Sequence, residues 1–240
     1  MDHPPANALS NGLLRDLVGR LESVNEDTTI RGVVLRGAGD KFFTAGGDVK
    51  EFATLSKEGG IERVSLGSRL KVALSRLHCP YVCAVNGAAI GSGMEMAALA
   101  DYCVASTTAR FGMPEINHGL LPMAKGIQQL VRVIGFQNTK TVLFEGEIFG
   151  AQRALEMGLV HRIVAPEALD EAADTWITEM AAKPAELFYA LKRTINECLS
   201  LSDEELEEMT KRDLGSYFGS DASRAERDRY LEAQRARKAG

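Results

Sequence analysis

Cysteine is scarce in this sequence of 240 residues, and its spacing gives no disulfide framework. The four cysteines are Cys79, Cys83, Cys103 and Cys198. A secreted disulfide scaffold is normally a much shorter chain, so we interpret these residues as free thiols in a reducing compartment. We therefore expect a cytoplasmic protein.

The sequence also lacks a strong charge bias and a long uninterrupted apolar run. Its net charge of -5 and isoelectric point near 5.5 give no general attraction to nucleic acid or to an anionic membrane. The most apolar window, residues 81–100, contains Asn86, Glu95 and several glycines, so it predicts a strand, a turn and a buried helix rather than a membrane span. No basic region followed by an apolar stretch opens the chain, so we expect no secretory signal.

Common cofactor and nucleophile motifs are missing as well. The glycine cluster after residues 81–85 resembles a dinucleotide fingerprint, but its third glycine position holds Met96. A hydrolase nucleophile elbow would need glycines two positions either side of Ser92, where the sequence has Ile90 and Met94. The sequence contains no Gly-Lys-Ser/Thr phosphate loop and no second cysteine pair at zinc spacing. These absences argue against nicotinamide, nucleotide-loop, serine-hydrolase and structural-zinc functions.

The length and the apolar pattern predict one large α/β domain with a helical C-terminal part. Buried strands are predicted at residues 30–35, 81–85, 103–105 and 159–164. Helices are predicted at residues 7–24, 63–77, 93–100, 127–134, 139–144, 151–157, 168–182 and 184–199, and over most of 203–237. We expect Gly215 and Gly219 to interrupt the last of these helices.

Two glycine-rich corners are the strongest chemical signal in the sequence. The first is residues 45–48, and the second is residues 86–95, which run from a predicted strand into a predicted helix. Each corner can aim a backbone N–H into a cleft, and two such donors can hold a developing oxyanion. The first corner alone is also consistent with an ordinary turn. The second is more specific, because a helix N-terminus carries unpaired N–H groups.

Two glutamates follow these corners. Glu95 lies in the first turn of an otherwise apolar helix, and Glu115 follows Pro114 in a short loop. Individually, Glu95 is also consistent with a residue that complements the helix dipole, and Glu115 with a solvated loop acid. Two carboxyl groups in one cleft can move protons at adjacent carbon atoms of a substrate. The combination suggests chemistry on a thioester carbonyl.

Taken together, these segments resemble the crotonase superfamily, that is, the enoyl-CoA hydratase/isomerase family. The similarity runs along nearly the whole chain and is carried by residues 5–9, 37–52, 84–95, 111–116 and 146–164. The resemblance implies an α/β fold, a spiral of ββα units with two roughly perpendicular sheets. It places this core in residues 1–167 and a helical trimerisation region in residues 168–240. The expected assembly is a homotrimer or a dimer of trimers.

The resemblance also implies roles for individual residues. The backbone N–H groups of Gly47 and Ser92 would hold the thioester oxygen of a 2-enoyl-CoA. Glu115 would deliver a proton at C2, and Glu95 would hold or activate the water that attacks C3. Residues expected on or near the coenzyme A pocket are Ala6, Ala45, Asp48, Val49, Lys50, Gly91 and Tyr230. Coenzyme A is part of the substrate, so the resemblance implies no metal and no separate cofactor.

Four departures from the family pattern bear on these expectations. Members usually carry a strand hairpin ahead of the entry segment, and Met1 lies only a few residues upstream of it here, so we expect an exposed sheet edge. Ser92 replaces a common glycine and keeps its N–H. Met123 stands where a glycine often helps to bind water, and Met113 replaces a common glutamine, so both bear on the substrate.

Besides other acyl-CoA reactions of this family, two other functions are compatible with the same residues. A double-bond isomerase of this family needs one base to carry a proton between C2 and C4 of the acyl chain. A protein that binds CoA esters without turnover is a second alternative. The presence of both Glu95 and Glu115 favours hydration over isomerisation.

Overall fold

The computed structural model describes residues 1–239, which form eight strands and ten helices. The strands are β1 Val33–Arg36, β2 Phe42–Thr44, β3 Tyr81–Val85, β4 Ala88–Ile90, β5 Tyr102–Ser106, β6 Arg110–Gly112, β7 Ile148–Gly150 and β8 Arg162–Val164. The helices are α1 Asn11–Glu26, α2 Val49–Phe52, α3 Lys57–Ser75, α4 Ser92–Ala98, α5 Ala124–Glu145, α6 Ala151–Glu156, α7 Leu169–Ala181, α8 Ala185–Glu197, α9 Asp203–Phe218 and α10 Asp221–Ala239. Two short 3₁₀ segments, Pro114–His118 and Pro166–Ala168, follow β6 and β8.

The strands form two four-stranded sheets. The first has the order β1-β3-β5-β8 and is parallel throughout. The second has the order β2-β4-β6-β7, in which only β7 is antiparallel. Successive strands along the chain alternate between the sheets up to β6, so each ββ pair gives one strand to each sheet before the chain enters a helix. The predicted α/β class, two sheets and helical C-terminal part are confirmed.

The main core contains residues of both sheets and of the helices that pack on them. All five residues of β3 are buried, and the parallel register places Cys83 beside Leu35 on one side and Cys103 on the other. Ser10 caps α1 by accepting a hydrogen bond from the backbone N–H of Leu13, which satisfies one donor of the first turn. The apolar face of α1 then packs on α3. Its buried apolar residues recur at helical spacing: Leu14, Leu17, Val18 and Leu21.

The chain separates into two compact units, Met1–Met180 and a second unit that begins at Ala181. Almost all of α7 belongs to the first unit in this division, and the boundary of 167/168 suggested by the sequence stays a prediction. Leu169, Ala172 and Ala173 of α7 form a buried cluster with side chains of β3 and β5. The second unit contains α8, α9 and α10, and an ion pair between Arg193 and Asp213 links α8 to α9.

Several local features differ from the sequence-based prediction. The prediction does not include the four short strands of the second sheet. The kink in α5 at Gly135, which is non-helical at φ 77°, agrees instead with the predicted break between the helices at 127–134 and 139–144. Gly219 ends α9, whereas Gly215 lies inside it. The four cysteines form no disulfide bond, and the burial of Cys83 raises the pKa of its thiol to about 12.

Within residues 1–239, each helix is too short or too polar to cross a membrane.

Candidate active site

The site lies where three neighbouring parallel strands of the second sheet end. β2, β4 and β6 run in the same direction, so their carboxyl ends lie at one edge of the sheet. The chain leaves these strands through residues 45–48, 91–95 and 113–118. Each of these segments carries a group that the sequence singles out. The carboxyl edge of parallel strands is a common place for ligand sites, because loops from separate parts of the chain converge there.

The first corner is held by hydrogen bonds from the strand that precedes it. Thr44 is fully buried, and its hydroxyl donates to the backbone oxygen of Asn7 at 2.7 Å and accepts from the N–H of Gly46 at 3.1 Å. The N–H of Ala45 donates to the backbone oxygen of Ala6 at 3.0 Å. Gly46 has φ 84°, which a residue with a side chain adopts only with strain.

The two corners pack directly against each other. A Cβ atom at Gly46 would lie 2.7 Å from the backbone oxygen of Ile90. A Cβ atom at Gly93 would lie 2.7 Å from the Cγ2 atom of Thr44. Glycine at these positions therefore permits the close approach that brings both corners to one cavity.

The second corner turns sharply into α4. Gly91 precedes the helix with φ 53° and ψ −116°, a conformation that favours glycine. Its N–H donates to the backbone oxygen of Gly112 at 2.9 Å, and its own oxygen accepts from the N–H of Glu95 at 3.1 Å. Ser92 is the first helical residue, a position whose N–H has no partner within a helix.

Both corners and both glutamates line one cavity of about 210 Å³. Its lining residues are Ala45, Gly46, Gly47, Val49, Phe52, Arg63, Val64, Ile90, Gly91, Ser92, Glu95, Pro114, Glu115, His118, Leu120, Leu121, Pro122 and Met123. All four candidate catalytic residues are therefore together, with three of the candidates for coenzyme A binding. The described lining does not include Ala6, Asp48, Lys50 or Tyr230.

Glu95 is buried and ion-paired. Its Oε2 atom lies 2.8 Å from the Nζ atom of Lys71 on α3, and each side chain exposes 2% of its surface. Burial lowers the pKa of Lys71, and the neighbouring charges of Glu95 and Glu115 oppose that change. A Cβ atom at Gly126 would lie 1.7 Å from Oε1 of Glu95, so α5 closes on the carboxylate from another side. Lys71 and the start of α5 therefore leave little space around the carboxylate of Glu95.

Glu115 lies at the start of the 3₁₀ segment that follows β6. Burial raises the pKa of its carboxyl group from 4.5 to about 6; the charge of Glu95 adds to this rise, while its own backbone amide and Lys71 oppose it. A Cβ atom at Gly91 would lie 2.6 Å from Oε1 of Glu115, so the carboxyl group rests on the second corner. A pKa of about 6 lets this group take up and release a proton near neutral pH.

One oxygen of each glutamate is buried without a hydrogen-bond partner in the described part of the chain. These atoms are Oε1 of Glu95 and Oε2 of Glu115. A buried carboxylate oxygen is costly to leave unpaired, so a water molecule or a polar substrate group is the expected partner. No cluster of three or more His, Cys, Asp or Glu within residues 1–239 is arranged to hold a metal ion.

The cavity lining also includes apolar side chains and one arginine. The guanidinium of Arg63 lies 5.1 Å from the ring centre of Phe52, and burial lowers the pKa of Arg63. The Phe52 ring covers Gly47, because a Cβ atom there would lie 2.3 Å from its Cε2 atom. Met123 fits against α3, where a Cβ atom at Gly67 would lie 2.1 Å from its Cε atom. The missing side chain at Gly67 thus leaves room for Met123.

The remaining residues expected near coenzyme A lie around the first corner and in the second unit. Asp48 caps α2 by accepting hydrogen bonds from the N–H groups of Lys50 at 2.9 Å and Glu51 at 3.3 Å. Val49 and Lys50 are exposed. Tyr230 lies on α10 with 63% of its surface exposed, and its hydroxyl accepts a hydrogen bond from Gln234 at 2.6 Å.

Sequence reasoning did not find Lys71. A signal for it existed, because Lys71 lies four residues after Gly67 and three before Leu74, on the buried face of α3. A charged residue on the apolar face of a helix needs a partner, and the acidic residue of the neighbouring α4 supplies it.

Comparisons with known proteins agree with this geometry. The family model described as "Enoyl-CoA hydratase/isomerase" matches residues 1–238. The chain is 38% identical over 161 residues to YngF of Bacillus subtilis strain 168, covering 67% of this chain and 62% of that protein. It is 33% identical over 190 residues to the short-chain-enoyl-CoA hydratase of Clostridium acetobutylicum, covering 79% and 73%. A crystal structure of enoyl-CoA hydratase from Bacillus anthracis superposes with a TM-score of 0.88 at 30% identity, covering 95% of this chain and 88% of the other.

Proposed function

The chain belongs to the enoyl-CoA hydratase/isomerase family, and on that premise we propose that it reversibly adds water across the C2=C3 bond of a 2-enoyl-CoA thioester. One observation carries the proposal. Two glutamates, each with a buried oxygen that lacks a hydrogen-bond partner among the described residues, line the cavity formed by the two glycine corners. Hydration needs a proton at one carbon and water at the next, which two carboxyl groups can serve together.

The glycine corners supply the electrostatic part of the proposed reaction. The thioester oxygen would accept hydrogen bonds from the backbone N–H groups of Gly47 and Ser92, which both belong to cavity-lining residues. Negative charge develops on this oxygen as water adds at C3 and an enolate-like state forms. A well-placed donor of this kind lowers the barrier by about 3 kcal/mol.

The two glutamates supply the proton transfers. Water held by Glu95 bonds through its oxygen to C3 while one of its protons passes to the Glu95 carboxylate. Protonated Glu115 gives its proton to C2, and the two carboxyl groups then exchange a proton to restore the starting state. The pKa of about 6 supports Glu115 as the group that changes its protonation.

We also propose the binding and assembly that the resemblance implies. Ala45, Val49 and Gly91 would contact coenzyme A from the cavity, with Ala6, Asp48 and Lys50 beside the first corner. Tyr230 would help to cover coenzyme A in a homotrimer or a dimer of trimers. The chemistry requires no cofactor besides the coenzyme A of the substrate, and thiols without disulfide bonds support a cytoplasmic location.

The test is a screen of 2-enoyl-CoA esters with the wild-type protein. Hydration removes the ultraviolet absorbance of the conjugated enoyl thioester, so its loss with each ester measures turnover directly. We expect saturable hydration of at least one ester. A parallel assay with 3-enoyl-CoA esters measures isomerisation. Isomerisation without hydration would contradict the proposal and support the one-base alternative, and binding without either reaction would support a protein that only binds CoA esters.

Two variants at Ser92 test the oxyanion role. Ser92→Ala keeps the N–H and should keep hydration within about threefold, whereas Ser92→Pro deletes the donor and should lower kcat by about 10²-fold or more. Proline is tolerated at the first position of a helix, so the fold should survive. An inactive Ser92→Ala variant with a covalent acyl group on wild-type Ser92 would instead indicate a nucleophilic serine.

A further inference from the structure

A buried lysine behind the cavity pairs with one of the two acids. Lys71 and Glu95 come from different helices, and both side chains are almost fully removed from solvent. The desolvation of two charges is expensive, and an apolar pair of similar volume often gives equal or greater stability. The pair is therefore weak as a device for stability, and its contact with a cavity-lining carboxylate points to a role in the chemistry.

The first turn of α5 bounds the other side of the Glu95 carboxylate. Gly126 is the third residue of α5, and its backbone lies so close to Oε1 that no side chain would fit. The ammonium of Lys71 therefore holds Oε2, while the first turn of α5 limits the movement of Oε1.

We propose that Lys71 is a positioning residue of the hydration step: it holds Oε2 of Glu95 in place and leaves Oε1 to bind the reacting water. The inference rests on the proposed function, because it assigns Lys71 a part in the same site. Glu115 then exchanges its proton with the substrate carbon, and the two acids have separate tasks because Lys71 forms an ion pair with Glu95 and acts on Glu115 through its charge.

The charges around the acids give this proposal a measurable consequence. Lys71 and Arg63 approach from α3, His118 lines the cavity from the 3₁₀ segment of Glu115, and the two acids face each other. Burial and the charge of Glu95 raise the pKa of Glu115, and Lys71 opposes the rise. Removal of the ammonium should therefore move the pKa of Glu115 further upward.

The primary variant is Lys71→Met, which removes the ammonium and keeps an unbranched side chain. We expect kcat for hydration to fall about 10- to 100-fold, with the dissociation constant of the CoA ester changed by less than about threefold, because a misplaced catalytic group costs rate and not binding. The alkaline limb of kcat/KM should move to higher pH. Lys57→Met, an exposed substitution on the same helix, should change neither quantity. Wild-type kcat and an unmoved pH limb in a folded Lys71→Met protein would overturn the proposal.

A double-mutant cycle tests whether Lys71 acts through Glu95. In the Glu95→Gln background, adding Lys71→Met should change kcat by less than about twofold, because groups that act as a unit are not additive. If the two losses multiply instead, Lys71 acts by another route and the proposal fails.

A titration without turnover separates this inference from the proposed function. The carboxyl carbon of Glu115, followed by ¹³C NMR, should titrate at higher pH in Lys71→Met than in the wild type. If Lys71→Met does not fold, Lys71→Gln keeps a donor for Oε2 without the charge and should give the same direction. An unmoved midpoint overturns the role of Lys71 even if the wild type hydrates its substrate. A moved midpoint in a protein that hydrates no ester supports the electrostatic role and refutes the hydratase function.

Discussion

The central strands of the two sheets in the first unit differ in length, in burial and in the segments into which they lead. β3 and β5 of the first sheet have five residues each, and nearly all of them are buried. β2, β4 and β6 of the second sheet have three residues each, and every one leads within three residues into a segment that lines the cavity. Long buried strands stabilise the fold through packing, whereas short strands release the chain at a defined edge. The comparison indicates that the first sheet maintains the fold and the second places the chemistry.

Two Pro-Glu pairs, one after a strand of each sheet, show how different surroundings act on the same local sequence. Pro114–His118 follows β6 of the second sheet, and Pro166–Ala168 follows β8 of the first. Both segments begin a 3₁₀ turn with proline and then glutamate. Glu115 lines the cavity with a raised pKa, whereas Glu167 is exposed. The surroundings that the sheet provides, and not the local sequence, therefore make the difference between them.

The largest expected effect is the difference between Glu115→Gln and Glu167→Gln. Glu115→Gln should lower kcat by about 10²- to 10⁴-fold, because it removes a proton-transfer group, and should leave CoA-ester binding largely unchanged. Glu167→Gln keeps the same local sequence context and should retain wild-type kcat. Steady-state hydration kinetics and a binding titration measure both. Near-normal hydration by Glu115→Gln would refute its assignment as the acid.

Alanine substitutions that crowd either the candidate active site or the first sheet should separate effects on activity from effects on stability. Gly126→Ala would place Cβ 1.7 Å from Oε1 of Glu95, so the carboxylate must move; we expect kcat to fall about 10- to 100-fold. Gly32→Ala, just before β1, would meet the side chain of Ile177 on α7 at 2.7 Å, so we expect a loss of about 1 to 3 kcal/mol in the free energy of unfolding with normal kcat.

Kinetics and chemical denaturation of both variants check this prediction. Equal losses of activity in the two variants would break the proposed division between the sheets.

The difference in length and burial between the strands also explains which strands the sequence could predict. The predicted strands at residues 30–35, 81–85, 103–105 and 159–164 correspond to β1, β3, β5 and β8, the whole first sheet. Continuous apolar runs mark β3 and β5, because nearly all residues of these two strands are buried. Strands of three residues, such as Ala88–Ile90, are too short to show a period and exist because a neighbouring strand pairs with them.

The sequence likewise predicted some residues of the candidate active site and not others. The glycine corners and the two glutamates could be identified, because their residue types and order carry the family pattern. Lys71 could not be assigned a partner, because its ion pair joins two helices and sequence spacing does not give contacts between elements. The placement of Met123 against Gly67 likewise depends on the packing of α5 on α3. Roles in the reaction stay predictions until the variants are measured.

A smaller effect is expected when buried side-chain atoms are removed within the first sheet. Val82 in β3 is fully buried, pairs in register with Val34 and Tyr102, and packs in the cluster that includes α7. Val82→Ala removes two methyl-sized groups and should lower the free energy of unfolding by about 2 kcal/mol. Hydration per folded molecule should be unchanged. Urea denaturation and kinetics measure the two quantities, and a stable but inactive variant would show that the first sheet also shapes the site.

The smallest expected effect is a pH-dependent gain in stability from Glu115→Gln. The pKa of Glu115 is about 6 in the folded state and 4.5 without the fold, so the folded protein binds more protons between these values. The free energy of unfolding should therefore fall as pH rises from 4.5 to 6, and the penalty should persist in full above pH 6. Because the side chain is only partly buried, we expect about 1 kcal/mol after solvent screening.

Glutamine cannot ionise, so Glu115→Gln should be more stable than the wild type at pH 7.5, and the gain should vanish below pH 4.5. Chemical denaturation at several pH values measures the difference, with Glu167→Gln as the control that should show no such dependence. A gain that is independent of pH would mean that packing, and not the ionisation of Glu115, separates the two proteins. The absence of any gain would mean that the carboxylate is better solvated than its position in the cavity implies.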